Sequence, residues 1–392
     1  MKIRNNFLLI LACLPLAALP QATLDSVIAA VRSSNPALRS LQIQMEAEIR
    51  AGRTGIYLPN PEVQFDYLWS DPATSGNRTD FGVTQSFSFP SVYFQKASQS
   101  GLIRTGATLD YLRMEREVLL TARMTWIRMV GLNRLQALAD QRMKMALAVA
   151  EKAKVQMERG EISIISYHHA LMETVALSVG KSTLDVERAT LQNELNLVCG
   201  GKVIMVTDTL FQPLTDITRE ELLSSFLQAP SVRSLENDMA VKRLDKNIAV
   251  SEWLPRFKAG YYSEMTGDLN YQGITTGISI PLFENASTVK AARYRMEAAV
   301  SQLELFKSKE AARILSLYQK RQLLNAQVAE INTVLGSAND ITLLQKALDA
   351  GEINISEFFY ETTLYYFTWS QLIRNETELA LSDAELLHAA GR

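Results

Sequence analysis

Phe81-Gly-Val-Thr-Gln-Ser-Phe-Ser-Phe-Pro90-Ser-Val-Tyr-Phe-Gln-Lys-Ala-Ser-Gln99 changes its hydrophobic period halfway along. Before Pro90, alternation puts Phe81, Val83, Phe87 and Phe89 on one face and Gly82, Thr84, Ser86 and Ser88 on the other. That is a strand with one greasy face and one small, polar face. Pro90 cannot donate to a ladder, and no further proline interrupts the helix-compatible stretch that follows, as far as Gly160. Strand is expected to pass directly into helix.

The junction recurs as Gly273-Ile-Thr-Thr-Gly-Ile-Ser-Ile-Pro281, where Gly273 answers Gly82 and Pro281 answers Pro90 at one offset of 191. Further pairs extend the match: Asn35-Pro36 with Ala229-Pro230, Leu38-Arg39-Ser40-Leu41 with Val232-Arg233-Ser234-Leu235, Leu58-Pro59 with Leu254-Pro255, and Gly160-Glu161-Ile162 with Gly351-Glu352-Ile353. The chain is a tandem duplication. Its offset is larger before the first strand than after it, so the second copy has the shorter loop between strands.

The pattern divides the 392 residues as follows: 1–22 a signal peptide, 23–201 a first structural repeat, 202–218 a linker near the equator, and 219–392 a second repeat. The first repeat holds two helices, the second running from Pro36 to about Tyr57, a β-hairpin over 62–89, a long helix over 91–159 and a return helix over 161–198. In the second, the hairpin is 256–280, the long helix 282–350 and the return helix 352–388. In the long helices Val118, Ala122, Trp126, Met129 and Val130 form one apolar stripe, and Leu317, Leu324, Val328, Ile331 and Leu335 another. Such stripes read as packing seams. At 1.5 Å per residue the first long helix spans on the order of 100 Å, so each repeat makes a rod with a hairpin at its far end.

Composition narrows the function. Formal net charge is -2 and no Lys/Arg run appears, which argues against nucleic acid. Two cysteines, Cys13 and Cys199, make neither a disulfide framework nor a metal cluster, and Cys199 reads as a small buried side chain. His168 and His169 are adjacent, about 100° apart on a helix, so they share no face for a metal. No triad or phosphate loop is present; an enzyme, a cofactor and a metal centre are not expected.

Lys2 and Arg4 precede the apolar run Phe7 to Leu19, too short to span a bilayer, with cleavage expected near Gln21 or Ala22. Leu11-Ala12-Cys13 alternatively ends a lipoprotein signal, with Cys13 lipidated. If the mature chain crosses a membrane, it does so with strands. Four strands cannot close alone, because spanning barrels need about eight or more. Closure must come from other copies, with aromatic Trp69, Tyr67, Tyr261 and Tyr262 at the membrane interfaces.

The strand-Pro-helix junctions, the Leu58-Pro59-Asn60-Pro61 entry, the Asn-Pro after the first helix, the Gly-Glu-Ile turns and the duplication together resemble the TolC-type outer-membrane efflux proteins. The resemblance covers essentially the whole mature chain. It implies a mixed α and β membrane protein of the Gram-negative outer membrane: a homotrimer whose four strands per chain make a twelve-stranded barrel, continued by a periplasmic α-helical barrel. Its implied partners are a periplasmic adaptor (membrane fusion protein), an inner-membrane pump of the resistance-nodulation-division type and outer-membrane lipid. Its implied cargo is metal cations or drugs. Two other readings stay open, the duct of a type I protein secretion system and a periplasmic coiled-coil structural or adaptor protein.

The resemblance also implies sites. The tip turns Gly160, Glu161, Ile162, Gly351, Glu352 and Ile353 would meet the adaptor, and Pro90 and Pro281 would mark the strand-to-helix junctions. Acidic residues six and nine positions past the second turn glycine narrow the family's entrance. Here they correspond to Glu357, which keeps the carboxylate, and Tyr360, which does not; Ser166 corresponds to Glu357 in the first repeat.

Overall fold

The computed structural model describes residues 23–69, 76–211, 217–337 and 340–392. The expected signal segment with Cys13, residues 70–75 at the first hairpin loop, 212–216 of the linker and 338–339 of the expected second long helix lie outside the described residues. In chain order the elements are α1 (Leu24–Ser34), α2 (Pro36–Ala51), β1 (Glu62–Leu68), β2 (Arg78–Phe87), α3 (Pro90–Glu158) and α4 (Ile164–Val198), then α5 (Arg219–Leu227), α6 (Pro230–Ser251), β3 (Arg256–Thr266), β4 (Leu269–Ser279), α7 (Thr288–Ser337), α8 (Asp340–Ala350) and α9 (Ile355–Ala389). Each repeat contributes helices flanking one hairpin, as the duplication requires.

Helix α3 is the spine. Its 69 residues start with Pro90 at the first helical position, where the missing N–H costs nothing, after Phe89 in an extended conformation. It packs against α2 and α6 over the half nearer the sheet, and against α4 and α9 over the half nearer Gly160. Ala122, Trp126, Met129 and Val130 are buried at its middle, beside Val27 and Val31 of α1 and Leu195 of α4. The Cys199 thiol sits in that cluster, pushed up by burial. The linker crosses the same region: Val206 is buried, and Asn133 Nδ2 donates to the carbonyls of Val206 and Asp208 at 3.0 Å each.

Two expectations about helix ends need correction. Helix α2 stops at Ala51, not near Tyr57. Gly52 lies so close to α3 that a Cβ there would come within 2.7 Å of Ile103, and Gly55 has φ +76°, a conformation that ends a helix at little cost for glycine. In the second repeat the strand does not pass directly into helix at Pro281. Asn285 is buried, its Nδ2 donating to the Glu252 carbonyl at 2.6 Å, and Ser287 has φ +68°. These side chains favour a turn over a helix, and α7 begins at Thr288.

The four strands form one antiparallel sheet in the order β1-β2-β3-β4, so the repeats join along the β2–β3 seam. A two-residue turn, Gly267-Asp268, links β3 to β4, shorter than the connection from Leu68 to Arg78, as the shift in offset implies.

Candidate functional site

Cross-strand partners share a face, so the register sorts every strand residue. One face carries Val63, Phe65, Phe81, Tyr261, Ile274 and Ile278, all exposed, Ile274 to 85%. Gln85 interrupts it, and its amide is satisfied by the Pro59 carbonyl at 2.7 Å. No described helix is long and apolar enough to cross a membrane.

The opposite face is polar. Thr84, Ser86, Gly260, Gly273, Thr275 and Gly277 lie there, with a network near the loop end of the sheet. Arg78 makes a two-pronged ion pair with Asp80 (2.8 Å) and reaches Glu264 at 3.2 Å and the Tyr262 hydroxyl at 3.2 Å. Tyr262 was expected at a membrane interface beside Tyr261, but it lies on the polar face, between Gly82 and Gly273. Adjacent tyrosines in a strand must point opposite ways. The Arg78, Asp80, Tyr262 and Glu264 network escaped sequence reading, although charge at alternate positions (Arg78 and Asp80; Lys258 and Glu264) was the signal for it.

At the other end of the molecule the two tip turns are built alike. Gly160 (φ +73°) and Gly351 (φ +75°) end α3 and α8 in the left-handed conformation. The N–H of Glu161 donates to Gln156 O at 2.8 Å and that of Glu352 to Ala347 O at 2.9 Å, satisfying helix-end carbonyls. Ile162 and Ile353 then pack on a shared cluster that includes Ala146, Val149, Phe358 and Phe359. The turn residues of both repeats are thereby brought together, while Glu161 and Glu352 stay exposed.

Ser166 and Glu357 take equivalent places, three residues into the helices that leave the turns. Ser163 Oγ accepts the N–H of Ser166 at 3.1 Å, and Asn354 Oδ1 accepts that of Glu357 at 3.0 Å. The Glu357 carboxylate in turn accepts the Asn354 N–H at 2.9 Å, completing a capping box. Tyr360 is 72% exposed one turn further on. His169 leans its ring edge on Phe359 and places Nδ1 3.3 Å from Ser356 Oγ, a contact between repeats. Arg142 of α3 joins the same seam, donating to Glu173 of α4 (2.7 Å) and Thr363 of α9 (2.8 Å) beneath the Tyr366 ring. Burial pushes the Tyr366 phenol up, against the pull of Arg142. Among the described residues no three His, Cys, Asp or Glu side chains converge to hold a metal.

No protein-family model matches the chain, and no curated protein matches it in sequence. Solved structures do. A membrane protein from Pseudomonas aeruginosa superposes with a TM-score of 0.80 at 13% identity, covering 94% of this chain and 90% of that one. CusC, described as forming a transmembrane channel, gives 0.77 at 16% identity over 94% and 92%. The outer membrane protein VceC from Vibrio cholerae gives 0.78 at 12% identity over 94% and 96%. Likeness at such low identity is a likeness of fold.

Proposed function

We propose that this chain, which has the fold of the TolC-type outer-membrane channels, is one third of an outer-membrane exit duct. The observation that carries the reading is the open sheet, with one exposed apolar face, one polar face, and β1 and β4 as edges without a second neighbour among the described residues. An open edge in lipid leaves backbone groups unpaired, so such a sheet is suited to a membrane only when copies close it. Three copies would supply twelve strands, with the apolar face to lipid and the Arg78 face to water. The helices would continue the duct through the periplasm.

The duct would conduct passively, receiving small solutes, metal cations or drugs, from an inner-membrane pump of the resistance-nodulation-division type through a periplasmic adaptor. The exposed Glu161 and Glu352 beside the anchored Ile162 and Ile353 suit a docking surface for that adaptor. Glu357 and Tyr360 would line the entrance. A periplasmic coiled-coil protein has no use for an amphipathic sheet, which disfavours that alternative.

Native mass spectrometry in mild detergent, paired with planar-bilayer recording, tests the reading. A trimer that opens stable channels is expected. A monomer that never conducts would sink it.

A further inference from the structure

Midway along the rod, α1, α3 and the end of α9 enclose a cleft of about 250 Å³. Arg32, Arg116, Arg123, His388 and Arg392 line it, and Asp25 is the only side-chain carboxylate among its lining residues. Ile28, Leu119 and Leu120 form an apolar wall. This collection of cations is unusual in a chain whose net charge is -2.

Their partners account for only part of the positive charge. Arg32 pairs with Glu115 at 3.2 Å. Arg116 donates to the backbone carbonyl of Gly391, a neutral acceptor at the end of α9, and Arg392 Nε to the Ser225 hydroxyl at 3.0 Å. Arg123 makes no hydrogen bond or ion pair among the described residues. Three elements, α1, α3 and the end of α9, contribute these cations to the lining of one concavity. The field is felt locally: burial lowers the affinity of His388 for a proton, Arg116 and Arg313 lower it further, and Glu117 opposes them. Burial also pulls Arg116 below the usual guanidinium range. Both effects are what an anion in the cleft would relieve.

We propose that this cleft is a binding site for a small oxyanion of the phosphate class, gripped by Arg123 and Arg116. The planar guanidinium fork matches two oxygens of a tetrahedral anion, and both residues line the one cleft from α3. The cleft lies far from both the sheet and the tip turns, and it does not depend on the duct reading.

Calorimetric titration of the full-length, detergent-solubilised protein with inorganic phosphate tests it, against chloride at matched ionic strength. Saturable phosphate binding is expected, about tenfold weaker in R123Q, since loss of one charge-assisted hydrogen-bonding fork is worth about a decade in affinity. R123K retains the charge but loses the fork, and serves if R123Q does not fold. It should bind severalfold more weakly than the parent. The proposal is overturned if chloride competes equally, if the parent shows no saturable heat, or if R123Q and R123K titrate like the parent.

Discussion

Asn35 and Val198 close the first repeat on itself: the side-chain amide of Asn35 donates to the Val198 carbonyl at 2.7 Å across 163 residues of sequence. The same side chain accepts the N–H groups of Ala37 and Leu38 at 2.8 and 3.1 Å. One residue thus caps the start of α2 and the end of α4. In the second repeat Ala229 takes its place, and Gly391 approaches so near that a Cβ there would lie 2.5 Å from Ala229 Cβ.

Asn35→Ala should therefore cost more than an ordinary cap, about 2 kcal/mol, because it also orphans the Val198 carbonyl. Asn35→Asp keeps the acceptor and loses the donor, and should cost about half as much. Urea midpoints followed by circular dichroism check this; equal midpoints for all three proteins would mean that the Asn35–Val198 bond contributes nothing.

Ile274 and Thr275 are neighbours near the middle of β4 on opposite faces of the sheet. If the apolar face meets lipid, Ile274→Arg should destabilise by about 2–4 kcal/mol near the midplane, and Thr275→Arg by much less. Unfolding from lipid vesicles measures the difference. Similar costs at both positions would reverse or abolish the assignment of faces.

At the tip, Glu357→Gln removes a charge without removing the cap, since glutamine also accepts the Asn354 N–H. Single channels of this variant should lose cation preference while keeping the parent's stability, and Tyr360→Ala should raise conductance. Glu357→Ala also loses the reciprocal bond to the Asn354 N–H, at about 1 kcal/mol, while Asn354 still caps the helix. Unchanged currents in all three variants would place the entrance elsewhere.

The end of α9 makes stability pH-dependent. His388 binds its proton less readily in the folded chain than in the unfolded one, owing to burial and then Arg116. The unfolded chain therefore takes up a proton first on acidification. The contribution is complete above about pH 6.5 and is lost as pH falls toward the lower folded value. In phosphate-free buffer, His388→Gln should flatten the fall in melting temperature between pH 7 and 5. A slope as steep as the parent's would assign the acid sensitivity to other groups.

Much of this architecture was legible because backbone chemistry announces itself. Gly160 and Gly351 need a left-handed turn, Pro36, Pro90 and Pro230 open helices, and alternation up to Phe87 is that of a strand. What stayed hidden depended on partners distant in sequence. Which face Tyr262 takes is decided by its register against Gly82, and the late start of α7 by a hydrogen bond from Asn285 to the backbone at Glu252. Glu357 is proposed at the entrance by correspondence of position, while its place in a capping box follows from Asn354 three residues earlier. The arginine cleft was beyond reach, since Arg32, Arg123 and Arg392 meet only when α1, α3 and the end of α9 are packed together.

If the sheet enters lipid as proposed, the edges of β1 and β4, which have no second neighbour among the described residues, also impose an order of events on a newly made chain. In water their unpaired N–H and C=O groups are solvated, while in lipid each is costly, so the greasy face gains nothing by entering lipid before other edges arrive. Entry becomes a matter of encounter among chains, steep in their concentration, whereas the helices form within each chain at a rate indifferent to it. Dilution should leave folded helices waiting beside an unoccupied membrane, and a change that loosens the rod should delay insertion without altering a single strand.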